Sequence, residues 1–192
     1  MGRHKLLLPF RGRPLVRHAI ECLAASPLSP VCCVLGFGAD EVLVELESAP
    51  FPRAIRFVVN WDHASGRASS VRAGLEALPD DCEGALFLPG DMPLVRPEDV
   101  AALVERFRRT GAPLVVAVDE SGRRAHPVLF SRRLFARLLA LRGDESGHAV
   151  IQECWDAAGK VPVPGSRSLD VDTEEDYRRL LEGEQGGHAP LL

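Results

Sequence analysis

The chain has 192 residues, of which 46% are hydrophobic and 26% are charged, and its formal net charge is −4. This size and composition predict one globular domain with a full core, and the lack of a basic block argues against nucleic acid as the main partner. The sequence shows no membrane-spanning apolar run and no recognisable signal peptide, so we expect a cytoplasmic protein that does not enter a membrane. The five cysteines form no C-x-x-C pair and are interpreted as reduced, mostly buried side chains.

The first half of the chain alternates between predicted helices and strands. Leu15–Ala24 has the apolar spacing of an amphipathic helix, and Val31–Leu35 is a short apolar run typical of a buried strand. Further elements follow in order: a helix opened by Asp40, a strand at Ile55–Val59, a helix from about Ser69, a strand at residues 85–88 and a helix from Pro97 to about Arg109.

The second half continues this alternation with one reversal. A strand at Leu114–Val118 leads into a predicted hairpin turn at residues 120–123 and a return strand that includes His126. The remaining predictions are a helix begun by Ser131, a polar turn at residues 144–148 with a helix through about Ala157, an edge strand at residues 161–163 and a helix capped by Thr173.

This alternation predicts an α/β fold with a doubly wound, mostly parallel sheet and helices on both faces. We expect residues 1–182 to form one domain and residues 183–192, which are rich in glycine, to form a flexible tail. Ligands of such folds bind at the carboxyl ends of the strands, so polar residues that follow strands are the candidates for a site.

Asp91 is the most prominent of these candidates. It follows the predicted strand at residues 85–88 after an abrupt stop at Pro89 and Gly90, and Met92-Pro93 behind it cannot extend a ladder. A carboxylate in this position is a candidate ligand for a hard cation beside a phosphate. The alternative is that Asp91 caps the helix that begins near Pro97.

Two further polar clusters should gather at the same edge. Residues 66–70 form a polar loop that runs into a helix, and such an N-terminus suits an anion or a base edge, although Ser69 could equally be no more than its cap. The second cluster is the pair Asp170 and Asp172. Lys5 and Lys160 are the only lysines of the chain, which makes Lys5 a candidate point charge for phosphate.

Several motifs occur in a fixed order along nearly the whole chain. They are Met1-Gly-Arg-His-Lys5, Gly12-Arg-Pro-Leu15, Ser65-Gly-Arg-Ala-Ser-Ser70, Gly90-Asp-Met-Pro93, His126-Pro-Val-Leu-Phe130, Gly143-Asp144 and Asp170-Val-Asp-Thr173. With this set the chain resembles the MobA-like nucleotidyltransferases, and most closely the molybdenum cofactor cytidylyltransferases. The resemblance implies a nucleotide-diphospho-sugar transferase-like fold.

The resemblance also implies an activity, namely transfer of CMP from CTP to a phosphorylated acceptor such as molybdopterin, with Mg²⁺ and release of pyrophosphate. Asp91 and one of Asp170 or Asp172 would hold Mg²⁺, and Lys5 would offset charge on the triphosphate. GTP is left open as the nucleotide, and molybdoenzymes or their chaperones are the macromolecular partners that this role implies.

Further site residues follow from the same resemblance. Nucleotide binding would involve Lys5, Gly66, Arg67, Ser69, Ser70, Gly90 and Asp91. His126 and Asp144 would face the acceptor, although His126 could instead be a strand-end histidine satisfied by the backbone. Asp176 is interpreted as a residue of a helix's first turn rather than a ligand.

Two features depart from the family pattern. The family begins with a strand and a Leu-Ala-Ala-Gly-x-Ser-x-Arg loop before its Met-Gly-x-x-Lys, and this sequence starts at that methionine. We therefore expect the central strand to be missing and its neighbours to be left with unpaired backbone groups. A truncated reading of a longer frame would explain this, and a paralogue that lost catalysis is the rival. The second departure is Ser146 and His148, where relatives carry Gly and Arg.

Three functions therefore remain open at this stage. The first is the cytidylyltransferase described above. The second is a non-catalytic nucleotide-binding or maturation-partner protein of the same fold. The third, a sugar-1-phosphate or isoprenoid-precursor nucleotidyltransferase, shares the fold and the metal site but is less well matched by the segments that begin at His126 and Asp170.

Overall fold

A computed structural model describes residues 4–185, and it has the α/β architecture that the sequence predicts. The strands are β1 (Pro9–Phe10), β2 (Arg13–Pro14), β3 (Val31–Leu35), β4 (Ile55–Val59), β5 (Gly84–Phe87), β6 (Leu114–Val118), β7 (Arg124–Ser131) and β8 (Gly159–Pro162). The helices are α1 (Leu15–Ala24), α2 (Ala39–Glu47), α3 (Arg67–Glu76), α4 (Pro97–Thr110), α5 (Phe135–Leu139), α6 (His148–Glu153) and α7 (Glu174–Gln185).

The larger sheet has four strands in the order β5-β7-β6-β8. Strand β7 is antiparallel to both β5 and β6, whereas β6 and β8 are parallel. Three of the four strands therefore run in one direction, and β7 is the return strand that the turn at residues 120–123 predicts. Pro162, which cannot donate to a ladder, lies in the edge strand β8.

Strand β6 separates the two layers of the core. Its five residues are all buried, and alternate side chains enter different clusters. Leu114 and Val116 pack with residues of α3, α5 and α6, whereas Val115 and Ala117 pack against Leu103 and other residues of α4. Helices cover both faces of the sheet because β6 is apolar on both sides.

The sheet is interrupted between β3 and β5. Strands β3 and β4 form a separate parallel pair, and β5 is the terminal strand of the larger sheet. Every residue of β3 and β5 lines a mostly apolar cavity of about 360 Å³, which α1 and α3 also border. Cys33 and Leu86 are only partly buried, unlike the residues of β6, because the cavity lies beside them. Within residues 4–185, β3 and β5 are therefore edge strands that face each other across the cavity.

Most predicted elements are confirmed, with shifted ends. Leu15–Ala24, Val31–Leu35, Ile55–Val59 and Leu114–Val118 match the structure to the residue. Helix α3 begins at Arg67 rather than Ser69, so the interpretation of Ser69 as the cap is wrong. In place of one helix begun by Ser131, the structure has a 3₁₀ turn, Arg132–Leu134, followed by the short α5.

The C-terminal helix has the predicted cap. Thr173 Oγ1 accepts a hydrogen bond from the Asp176 backbone N–H at 3.1 Å, and Asp176 Oδ2 accepts one from the Thr173 N–H at 2.9 Å. This reciprocal pair satisfies two free N–H groups and confirms that Asp176 serves the helix start. Helix α7 then runs through Gln185, and residues 186–192 of the expected tail lie outside the described residues.

Candidate active site

Three charged side chains from distant parts of the chain meet at the end of β5. Lys5 Nζ lies 2.7 Å from Asp91 Oδ2 and 2.7 Å from Asp172 Oδ1. Asp91 is mostly buried, whereas the Lys5 and Asp172 side chains are 36% and 63% exposed. One cation is therefore shared by two carboxylates.

The backbone explains why these residues meet. The Val171 N–H donates to the Asp91 carbonyl at 3.1 Å, which fixes the segment that carries Asp172 beside the turn after β5. Lys5 begins a 3₁₀ turn, and the neighbouring His4 ring bonds the Phe37 carbonyl at 2.8 Å. Two loops thus hold the lysine and the second carboxylate against Asp91.

Partial burial lowers the pKa of Lys5, but the hydrogen bonds to Asp172 and Asp91 outweigh it and raise the pKa above its ordinary value. The ammonium therefore stays charged throughout the physiological range. A permanent cation at this position can neutralise part of the charge of a phosphate group.

Asp91 also has an oxygen that nothing in the described part of the chain binds. Its Oδ1 is buried and lacks a hydrogen-bond partner, which is costly for a carboxylate unless a ligand supplies one. Two carboxylates, Asp91 and Asp172, are the hard oxygen donors that Mg²⁺ prefers. No group of three or more His, Cys, Asp or Glu side chains converges within residues 4–185, so an ion here would take its other ligands from water and phosphate.

The structure separates the two aspartates between which the sequence could not choose. Asp172 contacts Lys5, whereas Asp170 is exposed and lines a different cavity, together with Arg167 and Leu180. Because Lys5 and Asp91 share a contact network with Asp172, the geometry favours Asp172 as the second carboxylate of the site.

His126 lies close to this cluster from the side of β7. Burial, with a smaller effect of Arg124, lowers its pKa below the ordinary value of 6.5, while the Phe87 backbone and the charges of Asp170 and Asp91 oppose the shift. The ring is thus neutral at pH 7, and its Nδ1 is buried without a partner among the described residues. The Phe87 backbone contacts one side of the ring, and the second ring nitrogen has no partner within residues 4–185.

The start of α3 is held by a close approach of a second loop. Gly66 has φ of 110°, and a Cβ placed there would lie 2.3 Å from the Gly143 carbonyl carbon. The Gly143 oxygen accepts a hydrogen bond from the Ala68 N–H at 3.0 Å. Asp144, which was predicted to face the acceptor, is therefore next to the N-terminus of α3, and one N–H of that terminus is already occupied.

The residues predicted to bind the nucleotide differ in exposure. Ser69 is buried and donates its hydroxyl hydrogen to the Gly66 carbonyl at 2.8 Å, whereas Arg67 is exposed. Ser70 is partly buried and lines the cavity between β3 and β5, as does Gly90. A Cβ on Gly90 would make only ordinary contacts of 3.4 and 3.5 Å with Val16 and Leu6, so packing does not demand glycine there.

Asn60 is the residue that sequence reasoning missed. It follows β4 directly, is 5% exposed, and its amide bonds both Ser69 and Ser70. Its position at the carboxyl end of a strand, just before the polar loop, is the signal that could have identified it.

Other expectations concern the whole chain. The five cysteines are free, and burial raises the pKa of Cys22 and Cys33 to about 12, which keeps these thiols protonated. None of the helices within residues 4–185 is both long and apolar enough to cross a membrane.

Comparison with known proteins identifies the family of this chain and several relatives. The family model of the MobA-like NTP transferase domain matches residues 1–159. Nicotine blue oxidoreductase of Paenarthrobacter nicotinovorans is 31% identical over 183 residues, which cover 92% of this chain and 87% of that protein. The bifunctional protein GlmU of Oceanobacillus iheyensis is 30% identical over 109 residues, which are 57% of this chain but only 23% of the relative.

Solved structures show the same architecture. The crystal structure of Rv0371c in complex with manganese, from Mycobacterium tuberculosis H37Rv, aligns with a TM-score of 0.78 and 27% identity over 94% of this chain and 93% of that one. The likeness extends over nearly the whole of both chains.

Proposed function

This chain belongs to the MobA-like NTP transferase domain family, and we propose that it is a Mg²⁺-dependent nucleotidyltransferase that moves CMP from CTP onto a phosphorylated acceptor. The observation that carries the proposal is the Lys5 ammonium bound to both Asp91 and Asp172, beside an Asp91 oxygen that is buried and unpartnered. These are the charges that a nucleoside triphosphate and its metal ion require.

The proposed reaction asks for positioning and charge neutralisation rather than for a strong base. A phosphate oxygen of the acceptor forms a bond to the α-phosphorus of CTP, the bond from that phosphorus to its bridging oxygen breaks, and pyrophosphate leaves with the electron pair. An acceptor phosphate has a second pKa of about 6, so it is largely a dianion near neutral pH and needs no deprotonation.

Each residue then has a defined part. Asp91 and Asp172 would hold Mg²⁺, which when bound neutralises charge on the phosphates. Lys5 would turn from these carboxylates towards the triphosphate, and Gly66, Arg67, Ser70 and Gly90 would lie along the nucleotide. His126 and Asp144 would lie on the acceptor side. Ser69, whose hydroxyl is buried and engaged, would support the loop.

The acceptor in this proposal is a molybdopterin-type cofactor, and delivery to a molybdoenzyme or its chaperone would follow. The relative that this chain covers to 87% of its length is named nicotine blue oxidoreductase. Reduction of a dye of that kind is therefore a second candidate function, which needs an added reductant such as a reduced nicotinamide nucleotide.

The test is pyrophosphate release by the 192-residue chain with Mg²⁺ and molybdopterin, and with CTP or GTP in parallel wells. We expect release with CTP, and loss of turnover in Asp91→Ala and Asp172→Ala without a change in the far-UV circular dichroism spectrum. Asp170→Ala should lose much less turnover than Asp172→Ala, because Asp170 does not contact Lys5. If Asp91→Ala keeps its turnover, Asp91 has only a structural role and the proposed mechanism is rejected.

A second assay separates the alternatives. Nucleotide that raises the melting temperature without release of pyrophosphate would favour a non-catalytic binding protein. Oxidation of the nicotinamide nucleotide with a dye would favour the reductase.

A further inference from the structure

The amide of Asn60 has one fixed orientation. Its Oδ1 accepts a hydrogen bond from the Asp62 backbone N–H at 3.0 Å. A backbone N–H can only donate, so the oxygen of the amide must be the atom on that side and the NH₂ group must face α3. The Asn60 backbone N–H is held in turn by the Leu35 carbonyl at 2.7 Å, which anchors the residue between β3 and β4.

The two hydrogens of this NH₂ group go to neighbouring serines. Asn60 Nδ2 lies 2.8 Å from Ser69 Oγ and 3.0 Å from Ser70 Oγ. Ser69 is 4% exposed and donates its own hydrogen to the Gly66 carbonyl, so both roles of its hydroxyl are filled inside the protein. Ser70 is different: it accepts from Asn60, and residues 4–185 offer no acceptor for its hydrogen.

Ser70 is also the serine that a ligand can reach. It is partly exposed and lines the cavity between β3 and β5, on whose wall Gly90 and Leu6 also lie. Gly90 and Leu6 are the chain neighbours of Asp91 and Lys5, so the free O–H of Ser70 lies on the side of the proposed phosphate site.

We propose that Asn60 is a positioning residue that holds the Ser70 hydroxyl as an outward hydrogen-bond donor towards the nucleotide, whose base edge or ribose Ser70 would contact if the family resemblance holds. The carbonyl oxygen and the unprotonated ring nitrogen of a pyrimidine such as cytosine are acceptors for such a donor. The inference rests on the proposed function, since it names the residue that orients a nucleotide-binding serine of the same site.

Replacement of Asn60 by aspartate reverses the polarity of the contact. A carboxylate only accepts, and the Ser69 hydrogen is committed to Gly66, so the Ser70 hydroxyl would turn its hydrogen inward. The outward side of Ser70 would then hold only lone pairs, and an acceptor atom on the nucleotide would meet another acceptor. The new negative charge also repels the triphosphate, but that effect does not require Ser70.

A double-mutant cycle distinguishes these effects. Dissociation constants for CTP with Mg²⁺ are measured by calorimetry for the wild-type protein, Asn60→Asp, Ser70→Ala and the double variant. One uncharged hydrogen bond corresponds to roughly a two- to tenfold change, so we expect Ser70→Ala to weaken binding within that range. Asn60→Asp should weaken binding at least about fivefold more in the Ser70 background than in the Ser70→Ala background.

Controls keep the result interpretable. Ser48→Ala removes an exposed hydroxyl that bonds the Glu45 carbonyl at 2.7 Å, away from the site, and reports the general effect of a serine-to-alanine change. Asn60→Ala in the same cycle replaces Asn60→Asp if the aspartate variant fails to fold, because it frees the Ser70 hydroxyl without adding charge.

The two proposals fail in different ways. Equal weakening by the Asn60 substitution in both backgrounds would mean that Asn60 acts only on the structure, and this would overturn the inference. A wild-type protein that does not bind CTP would reject the proposed function itself, whatever the cycle gives.

Discussion

Lys5 and Asp172 are separated by 167 positions in the chain, yet the ammonium and the carboxylate are 2.7 Å apart. Asp91 binds the same ammonium at the same distance. Each ion pair is partly exposed and contributes little to the free energy of folding. A role in binding therefore explains the arrangement better than a role in stability. The ammonium stands between the two carboxylates that would hold a divalent cation, and it must leave them when the ion binds.

Removal of this lysine should therefore favour metal binding by the nucleotide-free protein. We expect Lys5→Met to bind Mn²⁺ on the order of tenfold more tightly, because the ion no longer competes with an ammonium for Asp91 and Asp172. The same variant should lose turnover, since the triphosphate loses its cation. Electron paramagnetic resonance of free Mn²⁺ measures the affinity, and Lys160→Met, which removes the lysine that lies over Trp155, is the matched control. An unchanged Mn²⁺ affinity would show that the Lys5 ammonium does not compete with the metal ion for Asp91 and Asp172.

The fold was largely accessible from the sequence because its strands are short apolar runs closed by glycine, proline or polar residues. Val31–Leu35 and Leu114–Val118 could be delimited to the residue in this way. Helix ends were less accessible where capping is not made by a serine or threonine. Helix α3 begins behind Gly66, whose unusual backbone conformation is set by the distant Gly143 loop rather than by any local signal.

Single residues of the site could be predicted from the sequence, but the contacts between residues distant in the chain could not. Asp91 is recognisable because it follows a strand that stops abruptly, and this is a local feature. The choice between Asp170 and Asp172 depends on the backbone hydrogen bond from Val171 to Asp91, which no local pattern encodes. The role of Asn60 could not be predicted for the same reason, because its hydrogen-bond partners Ser69 and Ser70 lie on the next helix.

The contact between Gly66 and the Gly143 loop can be tested by its steric limit. In Gly66→Ala the added Cβ would lie 2.3 Å from the Gly143 carbonyl carbon, and φ of 110° is unfavourable for alanine. We expect the free energy of unfolding to fall by about 3 kcal/mol or more, measured by urea denaturation. Gly111→Ala is the matched control, because it has φ of 60° with open space around it and should lose only about 1 kcal/mol.

A loss in Gly66→Ala no larger than in Gly111→Ala would mean that the two loops are not in contact. The loop carrying Asp144 would then be free to lie away from α3, and its place on the acceptor side would lose its support.

The interruption of the sheet predicts uneven hydrogen exchange. Strand β6 is paired on both sides, whereas β3 and β5 each border the cavity on one side. We expect amides of Val31–Leu35 and Gly84–Phe87 to exchange at least about tenfold faster than those of Leu114–Val118, because edge groups are less protected. Mass spectrometry of deuterated peptides measures this. Equal protection of the three strands would show that another segment fills the cavity in solution.

The buried ring of His126 should make stability depend on pH. Burial and Arg124 lower the pKa of His126 in the folded protein below 6.5, so below about pH 6.5 the unfolded chain binds more protons than the native one. The stabilisation is complete above that pH and is lost as the pH falls towards the folded-state pKa. Compared with His126→Gln, the wild-type protein should therefore lose unfolding free energy between pH 7.5 and 5.5, by at most about 1.4 kcal/mol per pH unit.

Urea denaturation of both proteins at several pH values measures this difference. Arg124→Gln should make the loss shallower without changing its sign, because the burial that is the larger cause remains. The carboxylates of Asp91 and Asp170 raise the pKa of His126 and so oppose the effect of burial. We therefore expect the loss of unfolding free energy to stay below about 1.4 kcal/mol per pH unit, the value for one full proton. A wild-type protein that gains stability relative to His126→Gln as the pH falls would mean that these carboxylates dominate, and that His126 is charged in the folded site.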